Sequence, residues 1–592
     1  MNGTKSESFI PTIMRLADIS SIWKRKASKK DLENDRGIFS LIRLRGILDK
    51  LVYNDLYPDI AVNMSNSNIG AVKNKNIRNH LFVVYGIINS VVRGESPCVD
   101  VQIFDLKKCF DALWLEDVMN DLYESLPESN RNDKLALLYK SNYENQVSVK
   151  TPVGQTKRIN MPKIVMQGGS WGPLQCSNSI DKIGKGCEEN REHLYTYKKL
   201  VKVLVLSMVD DKLAISTCGQ ESLSTNVHIN THIELKKLEF HTPDQSGKTK
   251  CHKMHVGPPN SLCPELKVHD SIMKLVSEDT YLGDVVRADG RNSSNVQQRV
   301  SKGIGLISQI MRILETISFG KSYFQIALRL REAIFLNGIL TNSEIWYGLT
   351  RSEIEELESV DRLLLRRILS LPISTPKEAL YLETGCTDIE TVIKGRRIKY
   401  LHYLANCDKN SMQYKFFKAQ WDFPAKGDWT RQVQEDLSDF DIEENLSLLE
   451  EVSKASFKTR INKTAKEYSL EKFRKLELSH SKMKNLYYPE LNLQSYLKLN
   501  ELNVDECKTI LLWRLRMAKF GANYGDKSKL CPLCSEHEDS QEMFYKQCSV
   551  AKEAVEITTK YEEIFSGNPS KKLIGTIKKL TKLREDHQVH SS

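Results

Sequence analysis

"LSMVDDKLAIS", residues 206–216, sets two adjacent carboxylates between two apolar stretches. Leu204, Val205, Leu206, Met208 and Val209 read as one short strand and Leu213, Ala214 and Ile215 as its return, which puts Asp210 and Asp211 on the turn of a hairpin. Neighbouring anions repel, and tight hairpin tips ordinarily carry Asn-Gly or Asp-Gly because glycine accepts positive φ. No glycine is present here. Either the pair is a solvated Asp turn, or a metal or cationic partner makes it tolerable.

Working outward, "VDVQIF" (99–104) alternates Val99, Val101 and Ile103 with polar positions and reads as a strand. Leu115, Val118, Met119 and Leu122 then repeat at helical spacing. "NQVSVKTPVGQTKRINM" reads as two strands around Gly154, "GPLQCSNSIDKIGKGC" as a helix, and "NVHINTHIELKKL" as a helix after the hairpin. The order approaches a split β-α-β-β-α-β unit with insertions. Its first strand ends on Asp105, which in a split sheet can lie beside the Asp-Asp hairpin, giving three carboxylates from neighbouring strands. Such a cluster suits two magnesium ions about 3.5–4 Å apart, one activating an attacking hydroxyl and one steadying a leaving oxygen.

Past residue 290 the pattern is mostly helical. In "SEIEELESVDRLLLRRILSLP", Ile354, Leu357, Val360, Leu364, Ile368 and Leu371 form an apolar stripe bounded by Pro372. From about 410 to 510 the chain is charged and helix-prone without a clear motif.

The 592 residues, 40% of them hydrophobic, suffice for several cores. The apolar runs from Leu81 and Leu200 are too short to span a bilayer, and "MNGTKSES" has no secretory core, so a soluble intracellular protein of the cytoplasm or nucleus is expected. Thirteen cysteines spread from Cys98 to Cys548 do not form a disulfide framework; most are expected to be reduced core residues. The net charge of +10 is a bias toward polyanions. Basic residues gather at 23–30, 73–78, 363–369, "KGRRIKY" (394–400) and 571–584, which suits either a phosphate backbone touched at several places or a set of solvated helix faces.

Taken together, the motifs resemble the reverse transcriptases of non-LTR retrotransposons, the LINE-like elements. "DLKKCFD" (105–111) resembles the family's motif A, "MQGGSWGPLQC" (166–176) its motif B and "MVDD" (208–211) its motif C. "YLG" (281–283) resembles the primer-grip turn, "NDRGIFSL" the fingers element, and "KEALYLETG" and "KGRRIKYLHYL" the segments after the thumb. The chain departs from the pattern at Met208 and Val209, where Tyr or Phe and Ala are commonest, at Met166 in place of Arg, and at Gly172 where Ser often precedes the proline. The fingers region before Trp23 reads as short and without an apurinic-type endonuclease segment ahead of it, so an N-terminally incomplete piece of a longer element or a truncated copy is expected.

The resemblance implies an α+β right-hand polymerase fold: fingers over 1–98, a palm with a split β-α-β-β-α-β sheet over 99–260, primer grip and helical thumb or connection over 261–410, a charged helical region over 411–510, and a Cys-rich knuckle-like segment with a basic tail over 511–592. It implies RNA-directed DNA polymerase activity on an RNA template and a DNA primer or target with deoxynucleoside triphosphates, and no membrane partner. Asp105 and Asp210 are the implied Mg²⁺ ligands, with Asp211 in support. Phe110 matches the aromatic under the incoming sugar that excludes a 2′-hydroxyl, the role the resemblance favours over that of an ordinary core residue. Gln167 and Gly168 match positions where the backbone approaches nucleotide and template. Arg36 and Lys29 are the implied triphosphate clamp. Lys250, with Lys248 close by, matches a lysine that protonates the leaving pyrophosphate. Cys531, Cys534 and Cys548 resemble a zinc knuckle whose usual histidine position holds Met543, leaving His537 as the fourth ligand or the site degenerate. The alternative to a polymerase is an inactive or domesticated nucleic-acid-binding descendant; an RNA-copying RNA polymerase on the same palm fits Phe110 and "YLG" less well.

Overall fold

A computed structural model describes residues 11–23, 35–131, 145–160, 169–189, 195–203, 205–243, 249–258, 263–316, 322–443, 445–477, 481–483, 485–498, 502–525 and 529–591. Lys29, Gln167, Gly168, Met166, Leu204 and Lys248 lie outside them. The chain divides into two units, one of Met1–Arg291 with Cys407–Thr430, the other of Asn292–Asn406 with Arg431–Ser592.

The first unit runs β1 (Leu16–Trp23), β2 (Asp35–Leu41), α1 (Arg43–Asn63), α2 (Ile77–Val92), β3 (Val99–Asp105), α3 (Cys109–Ala112), α4 (Leu115–Ser125), β4 (Gln146–Thr151), β5 (Gly154–Gln155), β6 (Ile159–Asn160) and α5 (Gly172–Glu189). It continues through β7 (Tyr195–Tyr197), β8 (Val201–Val203), β9 (Val205–Met208), β10 (Asp211–Thr217), α6 (Gln220–Leu235) and β11 (His252–Val256). Five short strands close it: β12 (Lys267–Val268), β13 (Ser271–Ile272), β14 (Lys274–Leu275), β15 (Glu278–Tyr281) and β16 (Asp284–Arg287).

The central sheet has the order β14-β11-β3-β10-β9. β3 is antiparallel to both β10 and β11, and β9 and β10 form the hairpin expected from the sequence. The strands around Gly154 do not join it. β4 pairs in parallel with β1, which is antiparallel to β2, so 146–160 complete a second sheet whose small core is Ala17, Phe39 and Val147. Strand periodicity names a buried face but not the strand that will cover it.

The alternation in "VDVQIF" predicts a half-buried strand, yet all of Val99–Phe104 is buried. One side is apolar, and on the other Gln102 donates to the Ser222 carbonyl (2.9 Å) and accepts from Asn226 Nδ2 (3.1 Å), both on α6. Polar residues are tolerated inside when their hydrogen bonds are made. Beneath the sheet, Leu56 of α1, Val118 and Leu122 of α4, Ile180 and Ile183 of α5 and Ile229 of α6 join Phe104 and Ala214 in one core. The apolar run from Leu81 folds as α2, capped by the Asn76 side chain on Arg78 N–H and buried nearly all round. Its Phe82 meets Phe416 edge-on at 5.4 Å on the helix Met412–Asp422, and Phe416 stacks on Tyr197 at 4.1 Å.

The second unit is helical. The stripe from Ile354 to Leu371 lies on the helix Arg351–Leu369, opened by a Thr350/Glu353 capping box and closed by Ser370 at φ 54° ahead of Pro372. Leu357, Val360, Leu364 and Ile368 are buried and Ile354 half-buried, as a core stripe should be. In the "KGRRIKY" cluster two of the cations, Lys394 and Arg397, are buried and serve the fold, while Arg396 and Lys399 are partly exposed. Arg397 is buried and grips Asp436 with Nε (2.6 Å) and Nη2 (2.9 Å), and Lys394 pairs with Asp439. Arg331 with Asp361, and Arg514 with Glu383, are further ion pairs buried on both sides. Such pairs fix how elements meet more than they add net stability. All thirteen cysteines are free thiols, and no described helix is long and apolar enough to cross a membrane.

Candidate active site

The hairpin tip is a two-residue loop, Val209-Asp210, because Met208 pairs with Asp211. Asp210 is on the turn and Asp211 is the first residue of β10, where the sequence placed both on the turn. Val209 has φ 54°, a region a β-branched residue enters only at a cost of roughly 1–3 kcal/mol. Neighbours hold it there. Residues 65–70 run along β9, with Ile69 N–H to the Ser207 carbonyl (3.0 Å) and Ser207 N–H to the Ser67 carbonyl (3.1 Å). Asn68 ties this segment to α5, donating to Asp181 Oδ1 (2.9 Å) and accepting from Ser177 Oγ (3.0 Å). Gly70 lies so close that a Cβ there would stand 2.6 Å from the Val209 nitrogen.

In the β3/β10 register Asp211 is directly opposite Asp105, and Asp210 is next to it on the turn. Three carboxylates therefore come together as the sequence order suggested. Burial first, and then the charges of Asp210 and Asp105, push the Asp211 carboxyl up to about 6. Asp210 is also raised, by burial and by Asp105, with Arg36 and Lys212 opposing. Asp105 Oδ2 accepts from Lys250 Nζ at 2.6 Å and stands 3.3 Å from His241 Nε2. The trio's oxygens do not all converge within 4.8 Å, and one of them, Asp105 Oδ2, is held by Lys250. As a donor set, three oxygen anions on adjoining strand ends match the hard-ligand preference of Mg²⁺.

Two further basic groups escaped the sequence reading. Lys212 is fully buried, its Nζ donating to Ser207 Oγ (3.0 Å), and burial brings its ammonium down to about 8 despite the surrounding anions. Its signal was the period of two, which points Lys212 away from Asp211 and into the core. His241 enters through an isolated bridge, Leu106 to Phe240, that no pattern announces.

Arg36 is exposed on β2, and its charge reaches Asp210. Phe110 is half-buried on α3, the single turn after Asp105, against the main core. Tyr281 ends β15, and the turn to β16 has Leu282 at φ 48° and Gly283 at φ 86°. Its hydroxyl lies 3.2 Å from His80 Nδ1, while His80 Nε2 is 2.9 Å from the Ser67 carbonyl. Burial brings His80 down to about 3, so the ring is neutral, Nε2 donates to Ser67 and Nδ1 accepts from Tyr281. The β15–β16 hairpin is thus fastened to the segment that holds the Asp-Asp tip.

In the second unit Cys531, Cys534 and Cys548 gather, with the Cys531 and Cys548 sulfurs 4.0 Å apart. Burial opposes it, but the N–H groups of Glu536 and His537 and the neighbouring thiols hold the Cys534 thiol below its ordinary value. The His537 side chain does not join: its Nε2 lies 3.9 Å from Glu536 Oε2, and its backbone takes part instead, the N–H toward Cys534 and the carbonyl accepting from Cys531 N–H (2.8 Å).

The architecture is α+β, with an antiparallel sheet that carries the carboxylates at one end. No protein-family model matches the chain, and no curated protein matches it. Among solved structures it is similar to telomerase structures from Candida species. Apo telomerase from Candida tropicalis has a TM-score of 0.38 at 13% identity over 77% of this chain and 69% of that one. The same telomerase in complex with the TWJ fragment of telomeric RNA has a TM-score of 0.36 at 13% identity, over 77% and 65%. A form truncated of its C-terminal domain has a TM-score of 0.34 at 14% identity, over 48% and 55%, so the chain spans little more than half of that structure's length.

Proposed function

We propose that this protein is an RNA-directed DNA polymerase of the non-LTR retrotransposon class. The observation that carries the reading is the meeting of Asp105 and Asp211 across one rung of the sheet with Asp210 at the adjoining tip. A fold spends stability to keep three anions so close and partly buried, and such groups mark functional sites. The motif resemblance supports the nucleic-acid assignment and the choice of chemistry.

Asp105 and Asp210 would hold Mg²⁺, with Asp211 in support; bound there, the cation lowers the pKa of a primer 3′-hydroxyl and neutralises charge on the leaving oxygen. The remaining work falls to this chain's side chains. Arg36, exposed and within electrostatic reach of Asp210, offers a guanidinium to the triphosphate. Phe110 supplies a ring against the sugar. Lys250, whose Nζ now donates to Asp105 Oδ2, would give its proton to the departing pyrophosphate. Val209 and the Tyr281 hairpin shape the floor under the primer end.

Primer extension by the full chain on poly(rA)/oligo(dT) with Mg²⁺ tests this. Asp210→Asn should abolish synthesis, by at least about 10³-fold for a loss on the order of 4 kcal/mol, while RNA binding persists. Extension by the variant at the wild-type rate would refute the palm assignment. RNA binding by wild type without any synthesis would favour the inactive, domesticated reading.

A further inference from the structure

β3 carries chemistry at both ends. Five residues before Asp105, and so about 17 Å along an extended strand, Asp100 is fully buried in a group of sulfur, nitrogen and oxygen donors. The sheet register assembles it: His255 of β11 pairs directly with Asp100, and Cys218, just past β10, donates its N–H to the Cys98 carbonyl (3.4 Å) one position outside β3. Because side chains alternate, Cys98, Asp100, Cys218 and His255 all fall on one face. Cys263 closes the group from the following loop.

We propose that Asp100, Cys218, His255 and Cys263 bind a zinc-class divalent cation. His255 Nδ1 lies 2.9 Å from Asp100 Oδ1 and 3.5 Å from Cys218 Sγ, and Cys263 Sγ lies 4.0 Å from Asp100 Oδ1. Around a tetrahedral ion with bonds of about 2.0–2.3 Å, neighbouring ligand atoms stand roughly 3.3–3.8 Å apart; the ligand atoms of Asp100, His255 and Cys263 already lie within 4.8 Å of one another, and Cys218 Sγ, in contact with His255, must swing toward the other two to complete the shell. His255 Nε2 is 3.4 Å from the Pro258 carbonyl. A proton given to that carbonyl leaves Nδ1 with its lone pair toward the cluster, the usual second-shell device for orienting a ligating histidine. A second observation points the same way: Asp100 Oδ2 is buried without a hydrogen-bond partner. Lys253 Nζ is 3.8 Å from it, but donates at 2.6 Å to the Pro264 carbonyl. Mixed sulfur, imidazole and carboxylate ligation selects zinc over magnesium. The bound ion would fasten β10, β3, β11 and the loop at Cys263 together at the end of the sheet away from the Asp trio.

The test is zinc content of the full chain after dialysis against a graded chelator series, wild type beside Cys263→Ser and Cys218→Ser/Cys263→Ser. Each variant is expected to hold one equivalent fewer than wild type, at a chelator concentration wild type withstands. Cys263 is exposed, so the single variant keeps its fold and the comparison stands even where the double variant does not. Cobalt substitution should show weaker thiolate-to-cobalt absorption in Cys263→Ser than in wild type. Because the readout is a difference, zinc at Cys531, Cys534 and Cys548 does not affect it. Equal zinc in wild type and Cys263→Ser would overturn the proposal, as would peptide mapping that finds Cys98 and Cys218 joined by a disulfide.

Discussion

Asp211 faces Asp105 directly across the β10/β3 pairing, and the cation that answers them is Lys250, 2.6 Å from Asp105 Oδ2. Like charges directly opposite in a sheet destabilise it, so the lysine and any bound metal compete for the same carboxylate.

That competition is measurable. Lys250→Met should tighten Mg²⁺ binding, because Asp105 is released, while slowing synthesis by about 10²-fold or more through loss of a general acid. Isothermal titration with Mg²⁺ beside single-turnover extension reads both. Weaker Mg²⁺ binding in the variant would count against the competition.

The Asp211 shift gives a pH dependence with a definite sign. Its folded pKa of about 6 stands above the ordinary 3.8, so the folded chain binds this proton more tightly than the unfolded chain. The stabilisation is complete below about pH 4 and lost as pH rises through about 6. Metal-free Asp211→Asn should therefore melt above wild type at pH 8, by on the order of 1–2 kcal/mol after allowing for partial exposure. The advantage should shrink by pH 5. Thermal melts in chelator at both values decide it.

Phe110→Val should raise incorporation of ribonucleotides relative to deoxyribonucleotides with synthesis retained, if the ring lies against the sugar as proposed. A ring serving only the core would instead cost a few kcal/mol of stability. The kcat/KM ratio for dTTP and UTP on one template, with a melt of each protein, separates the outcomes: an unchanged ratio with a lowered Tm assigns Phe110 to the core.

Gly70→Ala should damage the site more than the fold. Its Cβ would meet Ser177 Oγ at 2.5 Å and the Val209 nitrogen at 2.6 Å, so the hairpin tip must shift, at about 1–3 kcal/mol. Gly46→Ala, on α1 with nothing within 4 Å of its Cβ, is the control and should leave both synthesis and Tm unchanged or slightly raised. Equal activity of the two variants would show that the tip does not depend on Gly70.

The elements of this site were largely legible, and its assembly was not. Periodicity marked β3, α4, α5 and the hairpin because each gathers its apolar residues on a side that meets the core, and the spacing of Asp105 from Asp210 suggested neighbouring strands. Nothing local told β4 to pair with β1, since pairing partners are chosen by tertiary fit. Lys212 sat unremarked beside two aspartates because a buried ammonium violates the expectation for lysine. Segment 65–70 has no strand pattern; it earns its place through Asn68 and Gly70. The charge cluster at 394–400 misled because Arg397 finds Asp436 at a distance in sequence of 39 residues. At Cys531, the thiols were visible from Cys-x-x-Cys, but the orientation of His537 depends on Glu536 beside it.

Val209 at φ 54° carries a last implication, for the order of assembly. A loop whose first residue resists its own conformation has no local drive to form, so a peptide of residues 205–217 should remain open in isolation. The turn is expected to form only when segment 65–70 and α5 are docked against β9. The aspartates are thus delivered late, after the surrounding scaffold exists, and a nascent or partly unfolded chain presents no organised trio with which to sequester magnesium. The cation affinity proposed for this tip should therefore appear only once the first unit has folded.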